Sequence, residues 1–410
     1  MRFFLILFLL VTICLQANTI KVCESCKIKT IKEAILLAKD GDTVSVKKGI
    51  YKETKINVDK SIYIIGEDYP TLDGQNKTES IFAAKAIDFV ISGFIFKNVG
   101  LSYTKEIAAI YVSNSTNFNI KNNVLEDVFY GFIIQSSNFG LIQNNKITGK
   151  SINETTSGNG IHVWKCKNLR IEQNIVKGMR DGVYLEFVNN SFISNNTSQN
   201  NVRYGLHFMF SNNNEYHHNE FRENGAGVAV MFSKSIKMHH NTFHFNWGAA
   251  SYGLLLKEIN DAEIYDNIFE QNTIGINIEG CNRISYKNNH FIRNGWALKF
   301  RGGCYKNIFE FNNFVSNAFD LSYNSKLNDN KFEANYWSDY TGYDLDKNGI
   351  GDVAYRPVKL FSYIVNNTPE TLILLRSLFV DIINFSEKVS PVFTPDNLID
   401  AKPLMKPIEL

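Results

Sequence analysis

Gly205-Leu206-His207-Phe208-Met209 and Gly227-Val228-Ala229-Val230-Met231 begin 22 residues apart and share one design. Each opens on glycine and carries apolar residues one and three places later. Gly160–Trp164, Gly182–Glu186, Gly253–Lys257, Gly275–Glu279 and Ala297–Arg301 repeat it. The seven first residues are separated by steps of 22, 23, 22, 26, 22 and 22. A fixed period of this size is the mark of a repeat architecture. Strand side chains alternate between two faces, so the apolar +1 and +3 positions are expected to point inward. The glycine, +2 and +4 positions are then expected to point out. The +2 column reads His162, Tyr184, His207, Ala229, Leu255, Asn277, Lys299; the +4 column reads Trp164, Glu186, Met209, Met231, Lys257, Glu279, Arg301.

A second periodic signal runs beside the first. Asparagines at 123, 145, 174, 219, 241, 267, 289, 313 and 330 recur mostly 22 to 26 residues apart. Asparagine tolerates left-handed backbone and bonds neighbouring peptides, and stacked in register it forms amide ladders. Phe221, Phe243, Phe269, Phe291, Phe314 and Phe332 follow at matched offsets and are expected to stack inside. About three short strands per turn predict an all-β, right-handed parallel β-helix, a pectin-lyase-like solenoid of about 22 residues per turn. The count comes to about twelve turns. An antiparallel sandwich, the rival, predicts neither the constant period nor the asparagine columns.

The ends differ from the coil. Arg2 and the apolar run Phe3 to Leu15, ending near Ala17, read as an export signal rather than a membrane span. Ile13 before Cys14 is too bulky for the usual lipoprotein signal. Residues 18–50 read as an N-terminal cap: Thr30-Ile31-Lys32-Glu33 is a capping-box pattern, and Ile31, Ala34, Ile35 and Ala38 give an apolar helix face. The coil is expected over 51–335 and an Asp-rich loop over 336–358. A C-terminal helix and extended docking tail fill 359–410, with Thr368-Pro369 opening a helix striped by Leu372, Leu375, Phe379, Ile382 and Ile383. That helix could cap the coil or dock on a membrane or membrane protein.

The formal net charge of +2 gives no reason to invoke nucleic acid. Cys23 and Cys26 read as a short-loop disulfide in an oxidising compartment, with thiol metal ligation the alternative. Cys166 and Cys281 lie too many turns apart to bridge; Cys281 and Cys304 are about one turn apart and could.

Three clusters suit metal chemistry. Met209 and Met231 fall one turn apart in one column, about 5 Å between Cβ atoms, with His207 roughly 7 Å along the strand. Thioether and imidazole together suit Cu(I); the plain alternative is two methionines covering apolar surface under a partner. His217-His218 and His239-His240 stand one 22-residue step apart and place four imidazoles on two rungs, as turn-flanking residues or as metal ligands. Asp344, Asp346, Asn348, Ile350 and Asp352, with Gly349 between, follow the start of an EF-hand calcium loop but lack its terminal Glu, Tyr355 standing there instead. Arg180 and Arg203, with Asp181 and Glu186, read as an ion-pair cluster. As lyase machinery with the late aspartates, they would suit a polysaccharide-degrading or polysaccharide-binding protein. The late loop lies some turns away, however, and outer aromatic platforms (Trp164, Tyr184) are few.

The runs Arg180-Asp181-Gly182, Arg203–Met209, Gly227–Met231 and Asn335-Tyr336-Trp337-Ser338-Asp339-Tyr340, leading into Asp344–Asp352, resemble the NosD family. The resemblance covers most of the mature chain. His207, Met209 and Met231 fall on the family's motif positions; the four histidines and the CxxC match no family pattern. The resemblance implies a periplasmic, non-enzymatic accessory protein for maturation of nitrous oxide reductase, handling copper for its tetranuclear copper–sulfide site. Its implied partners are an ABC transporter (ATPase and membrane subunits), a copper chaperone and the reductase, with membrane association through a membrane protein.

Overall fold

The computed structural model describes residues 17–102, 104–322, 329–389 and 398–409. The export signal, Cys14, Pro391 and Pro395 lie outside these residues. Three parallel sheets of 14, 12 and 13 strands run the length of the coil, and successive turns pair in register. The chain is therefore an all-β parallel β-helix, and no antiparallel sandwich forms. The count of about twelve turns was low, because Thr19–Val22 and Thr43–Val46 already pair as the first two strands of the 14-stranded sheet. Helix α1 (Ile31–Leu37) interrupts these rungs and hides their period.

Helix α1 closes the open end of the core with Ile31, Ala34 and Ile35. Its first N–H groups need acceptors. Thr30 Oγ1 accepts from Glu33 N at 3.3 Å, and the Glu53 carboxylate from the next turn accepts from Ile31 N and Lys32 N at 2.8 and 3.1 Å. The local capping signal is thus completed by a residue distant in sequence.

The corner between the 14- and 13-stranded sheets explains the asparagine period. A residue with left-handed backbone stands first: Asn144 (φ 51), His218 (φ 55), His240 (φ 53), Asp266 (φ 54) and Asn288 (φ 52). The asparagine after it turns inward and bonds the next rung. Asn219 Nδ2 donates to Asn241 Oδ1, Asn241 to Asn267 and Asn267 to Asn289, each at 3.0 Å. The two roles expected of one asparagine are split between neighbours. Asn196 and Asn312 belong to this ladder. Asn313 instead bonds His290 and Ile408, and Asn330 serves another column with Asn307. Phe221, Phe243, Phe269, Phe291 and Phe314 stack at 4.6 to 5.4 Å. Phe332 leaves that stack and lies on Phe309 at 4.6 Å, its place being taken by Trp337 on Phe314.

The glycines also face differently from expectation. A Cβ on Gly205 would lie 2.7 Å from Gly227 O, 2.8 Å from Asn224 Nδ2 and 3.0 Å from the Phe221 ring. Glycine and the +1 residue therefore both face the interior, which breaks the strict alternation. The residue before glycine consequently lies outside.

The far end closes with the chain's last segment. The ladder terminates on buried Asp400, whose carboxylate accepts from Asn335 N, Asn335 Nδ2 and Trp337 Nε1 at 2.9 to 3.1 Å. Phe332 pairs with Asp400 and Tyr336 with Leu404. Residues 398–409 are thus a C-terminal cap on the coil rather than a free tail. Helices α2 (Leu360–Asn367) and α3 (Leu378–Val389) precede this cap, with Pro369–Leu374 as a 3-10 turn between them. Helix α2 packs Phe361 and Val365 against Trp296 and Phe319. The chain forms a Cys23–Cys26 disulfide, and Cys166, Cys281 and Cys304 are free and buried. The considered Cys281–Cys304 bridge is absent: their thiols approach the core carbonyls of Leu256 and Ile278 instead.

Candidate metal face

The outer surface of the 12-stranded sheet carries the His/Met columns. Register puts Tyr184, His207 and Ala229 in one row and Glu186, Met209, Met231 and Lys257 in the next. The +2 column is not the open surface its alternation implies: His207, Ala229, Leu255 and Asn277 are buried. Aromatic residues just before the glycines form the cover. The Tyr204 ring lies 4.8 Å from His207, Tyr130 lies 6.0 Å from His162, and Tyr252 lies 6.5 Å from Tyr204. Tyr184 fits between His162 and His207, 4.9 Å from each. Tyr130 and Tyr204 were missed as site residues. Their signal was the position preceding each glycine, which the broken alternation turns outward.

Asp181, also one place before its glycine, is fully buried beside His207. Arg203 clamps it in a bidentate pair, with Nε donating to Oδ1 at 2.8 Å, and lays its guanidinium over Tyr204. Burial pushes the Asp181 carboxyl up, but the hydrogen-bonded Arg203 guanidinium and the nearby His207 ring outweigh it and hold the pKa below the usual range. Arg180 donates instead to Asn159 Oδ1 at 3.2 Å, so the two arginines do not compete. The cluster is an ion pair, as its charges suggested.

His207 Nδ1 lies 3.5 Å from Asp181 Oδ2, a long contact, and neither ring nitrogen has a hydrogen-bond partner within usual geometry. Such orphaned buried nitrogens are uncommon. Met209 Sδ accepts from Tyr184 O–H at 3.7 Å, and Met209 and Met231 are half-buried register partners. Burial, then Arg180, lowers the His162 pKa to about 4, so that ring stays neutral at pH 7. The face thus presents two thioethers at its rim and imidazole nitrogen behind them, a soft donor set.

A profile described as "Periplasmic copper-binding protein (NosD)" matches residues 143–342, the stretch that builds this face. A Pseudomonas aeruginosa protein named "Probable ABC transporter binding protein NosD" is 27% identical over 91% of both chains. The chain is similar to the NosD family. A NosD of the same printed name from Stutzerimonas stutzeri is 33% identical over 72 residues, 18% of this chain and 16% of its own. Among solved structures, the Dettilon tailspike protein superposes with TM-score 0.58 at 12% identity, covering 77% of this chain and 68% of its own. The GH136 lacto-N-biosidase from Eubacterium ramulus gives 0.52 at 11% over the same shares. These two likenesses carry the β-helix fold alone.

The NosD match takes in the four histidines and stops before Asp344. His217 stacks on His239 at 5.1 Å and His218 on His240 at 4.9 Å, one rung apart as expected. The side chains of the expected calcium loop accept hydrogen bonds from within the loop. Asp344 accepts from Asn348 N and Gly349 N, Asp346 from Asn348 Nδ2, Asn348 from Ile350 N and Asp352 from Leu345 N, at 2.7 to 3.1 Å. The loop closes on its own amides. Among the described residues no three His, Cys, Asp or Glu side chains gather at a point that could hold a metal. No described helix is long and apolar enough to cross a membrane.

Proposed function

We propose that this protein is an exported, periplasmic copper-handling accessory protein and not itself an enzyme. It receives Cu(I) as cargo on Met209, Met231 and His207. It works with an ABC transporter (ATPase and membrane subunits) and a copper chaperone in assembling the tetranuclear copper–sulfide site of nitrous oxide reductase. The observation that carries this reading is the in-register Met209–Met231 pair beside a buried His207 whose ring nitrogens lack hydrogen-bond partners. Thioethers prefer a soft monovalent cation, and a half-buried rim allows transfer to a partner without unfolding the coil. The stiff solenoid keeps that rim in register. Helix α3 supplies the membrane-side docking: it exposes Leu378, Phe379, Ile382 and Phe385 on a 12-residue helix too short to span a bilayer. Of the carboxylates the polysaccharide-enzyme reading would use, Asp181 is already clamped by Arg203.

The test is a Cu(I) competition titration against a chromogenic chelator. Met209→Ala with Met231→Ala should weaken binding at least about tenfold, the scale of losing first-sphere or supporting ligands. Unchanged affinity would remove the site assignment. In cells, disrupting the gene should leave the reductase present but without its tetranuclear site, and normal N₂O reduction would reject the maturation role.

A further inference from the structure

The four histidines take no part in the reading above. They lie on the 14-stranded sheet and its corner, whereas the methionine face lies on the 12-stranded sheet. Their placement follows from the corner backbone. His218 and His240 are the left-handed residues of their turns, so each projects outward beside the histidine preceding it. As a result His217 Nδ1 lies 3.0 Å from His218 Nδ1, and His239 Nδ1 lies 2.9 Å from His240 Nδ1.

On the His239–His240 rung the other ring nitrogens face acids. His239 Nε2 lies 3.1 Å from Glu215 Oε1, and His240 Nε2 lies 3.8 Å from Asp266 Oδ2. A carboxylate at Nε2 favours the Nε2–H tautomer and leaves Nδ1 with its lone pair, the arrangement that supports a metal-bound histidine. Two Nδ1 lone pairs 2.9 Å apart repel unless a proton or a metal cation lies between them. Tyr265 stacks flat on His239 at 4.7 Å and fixes its ring, and His218 and His240 border a groove of about 430 Å³ with Asp266, His290 and Glu409.

The spacing selects the geometry. Two metal–nitrogen bonds of about 2.0 Å subtend roughly 2.8 Å at a right angle and roughly 3.3 Å at a tetrahedral one. The observed 2.9 and 3.0 Å fit the right angle, which suits Cu(II) or Ni(II) rather than Zn(II) or Cu(I). We propose that His217–His218 and His239–His240 are two bidentate clips, one per rung, for a tetragonal divalent cation, Cu(II) foremost. Each clip supplies two nitrogens, and water or a partner's donor completes the coordination. Binding releases any proton that bridges the two Nδ1 atoms. The site is open, two-ligand and exchangeable, and it is separate from the Cu(I) face.

The experiment is a Cu(II) titration of the full purified chain, followed by electron paramagnetic resonance. The expected result is a tetragonal Cu(II) signal with nitrogen superhyperfine coupling. His239→Gln with His240→Gln should weaken binding at least tenfold, and adding His217→Gln and His218→Gln should abolish the signal. Retained far-UV circular dichroism shows that the coil is intact; if the fourfold variant unfolds, the two paired variants carry the test. Met209→Ala with Met231→Ala should leave the Cu(II) signal unchanged, so failure here and failure of the Cu(I) reading are separate results. A wild-type protein without nitrogen-coupled Cu(II), or a signal that survives loss of all four histidines, overturns the proposal.

Discussion

Histidines stand at both proposed copper-binding places, and their surroundings are opposite. On the 12-stranded sheet, His162 and His207 lie beneath tyrosines, with Asp181 buried and clamped alongside. At the corner of the 14-stranded sheet, His217, His218, His239 and His240 stack on one another at the surface, near carboxylates that remain partly exposed. The repeat sets the neighbours in both places. What differs is the residue just outside the repeat unit: a tyrosine or aspartate before glycine forms a cover, whereas a left-handed histidine at a corner leaves the surface open. Imidazole nitrogens under a cover lack partners; those in the open have carboxylates and each other.

The sharpest break in this contrast is Asp181→Ala. It leaves Arg203 beside a buried, empty position, and removing one partner of a buried pair costs about 3–5 kcal/mol. Urea unfolding should report this loss. A change below about 1 kcal/mol would mean that the covered face is far wetter than its burial implies. The Asp181 carboxyl is held below its ordinary pKa in the fold, so its stabilisation is present above about pH 4 and disappears as pH falls further.

Acid sharpens the same comparison. The His162 pKa is lowered to about 4 from the usual 6.5, so the unfolded chain binds a proton there before the folded one does. Stability should therefore fall between pH 6.5 and 4, by about 3 kcal/mol from this group. His162→Gln should flatten that part of the pH–stability curve; an unchanged slope would place the ring in solvent. The smallest expected effect is at the open corner. His239→Gln with His240→Gln should alter unfolding free energy by only about 0.5 kcal/mol. A loss of several kcal/mol would make those rings structural members of the coil.

Much of the fold was legible because a β-helix repeats its local chemistry. Leu206 and Phe208, Val228 and Val230, and their counterparts all reach the core, since period-two alternation acts within a single strand. The asparagine column was visible for the same reason, although only the structure shows that the ladder runs through Asn196 and Asn312 and ends on Asp400. Asp400 could not be found by periodicity, being 65 residues beyond the Asn335 backbone it caps. The glycine was read on the wrong face because the alternation breaks there, and with it went the outward direction of Asp181 and Tyr204.

By itself the sequence determined the coil, its register and the pairing of Met209 with Met231 and of His217 with His239, because each follows from a spacing repeated turn after turn. Exposure was decided only by the tertiary structure. It depends on what packs over a column from outside the repeat: tyrosines over His207, Glu53 beneath α1 and Asp400 at the last rung. The contacts of Glu53 and Asp400 join residues with no fixed separation, so no period along the chain records them.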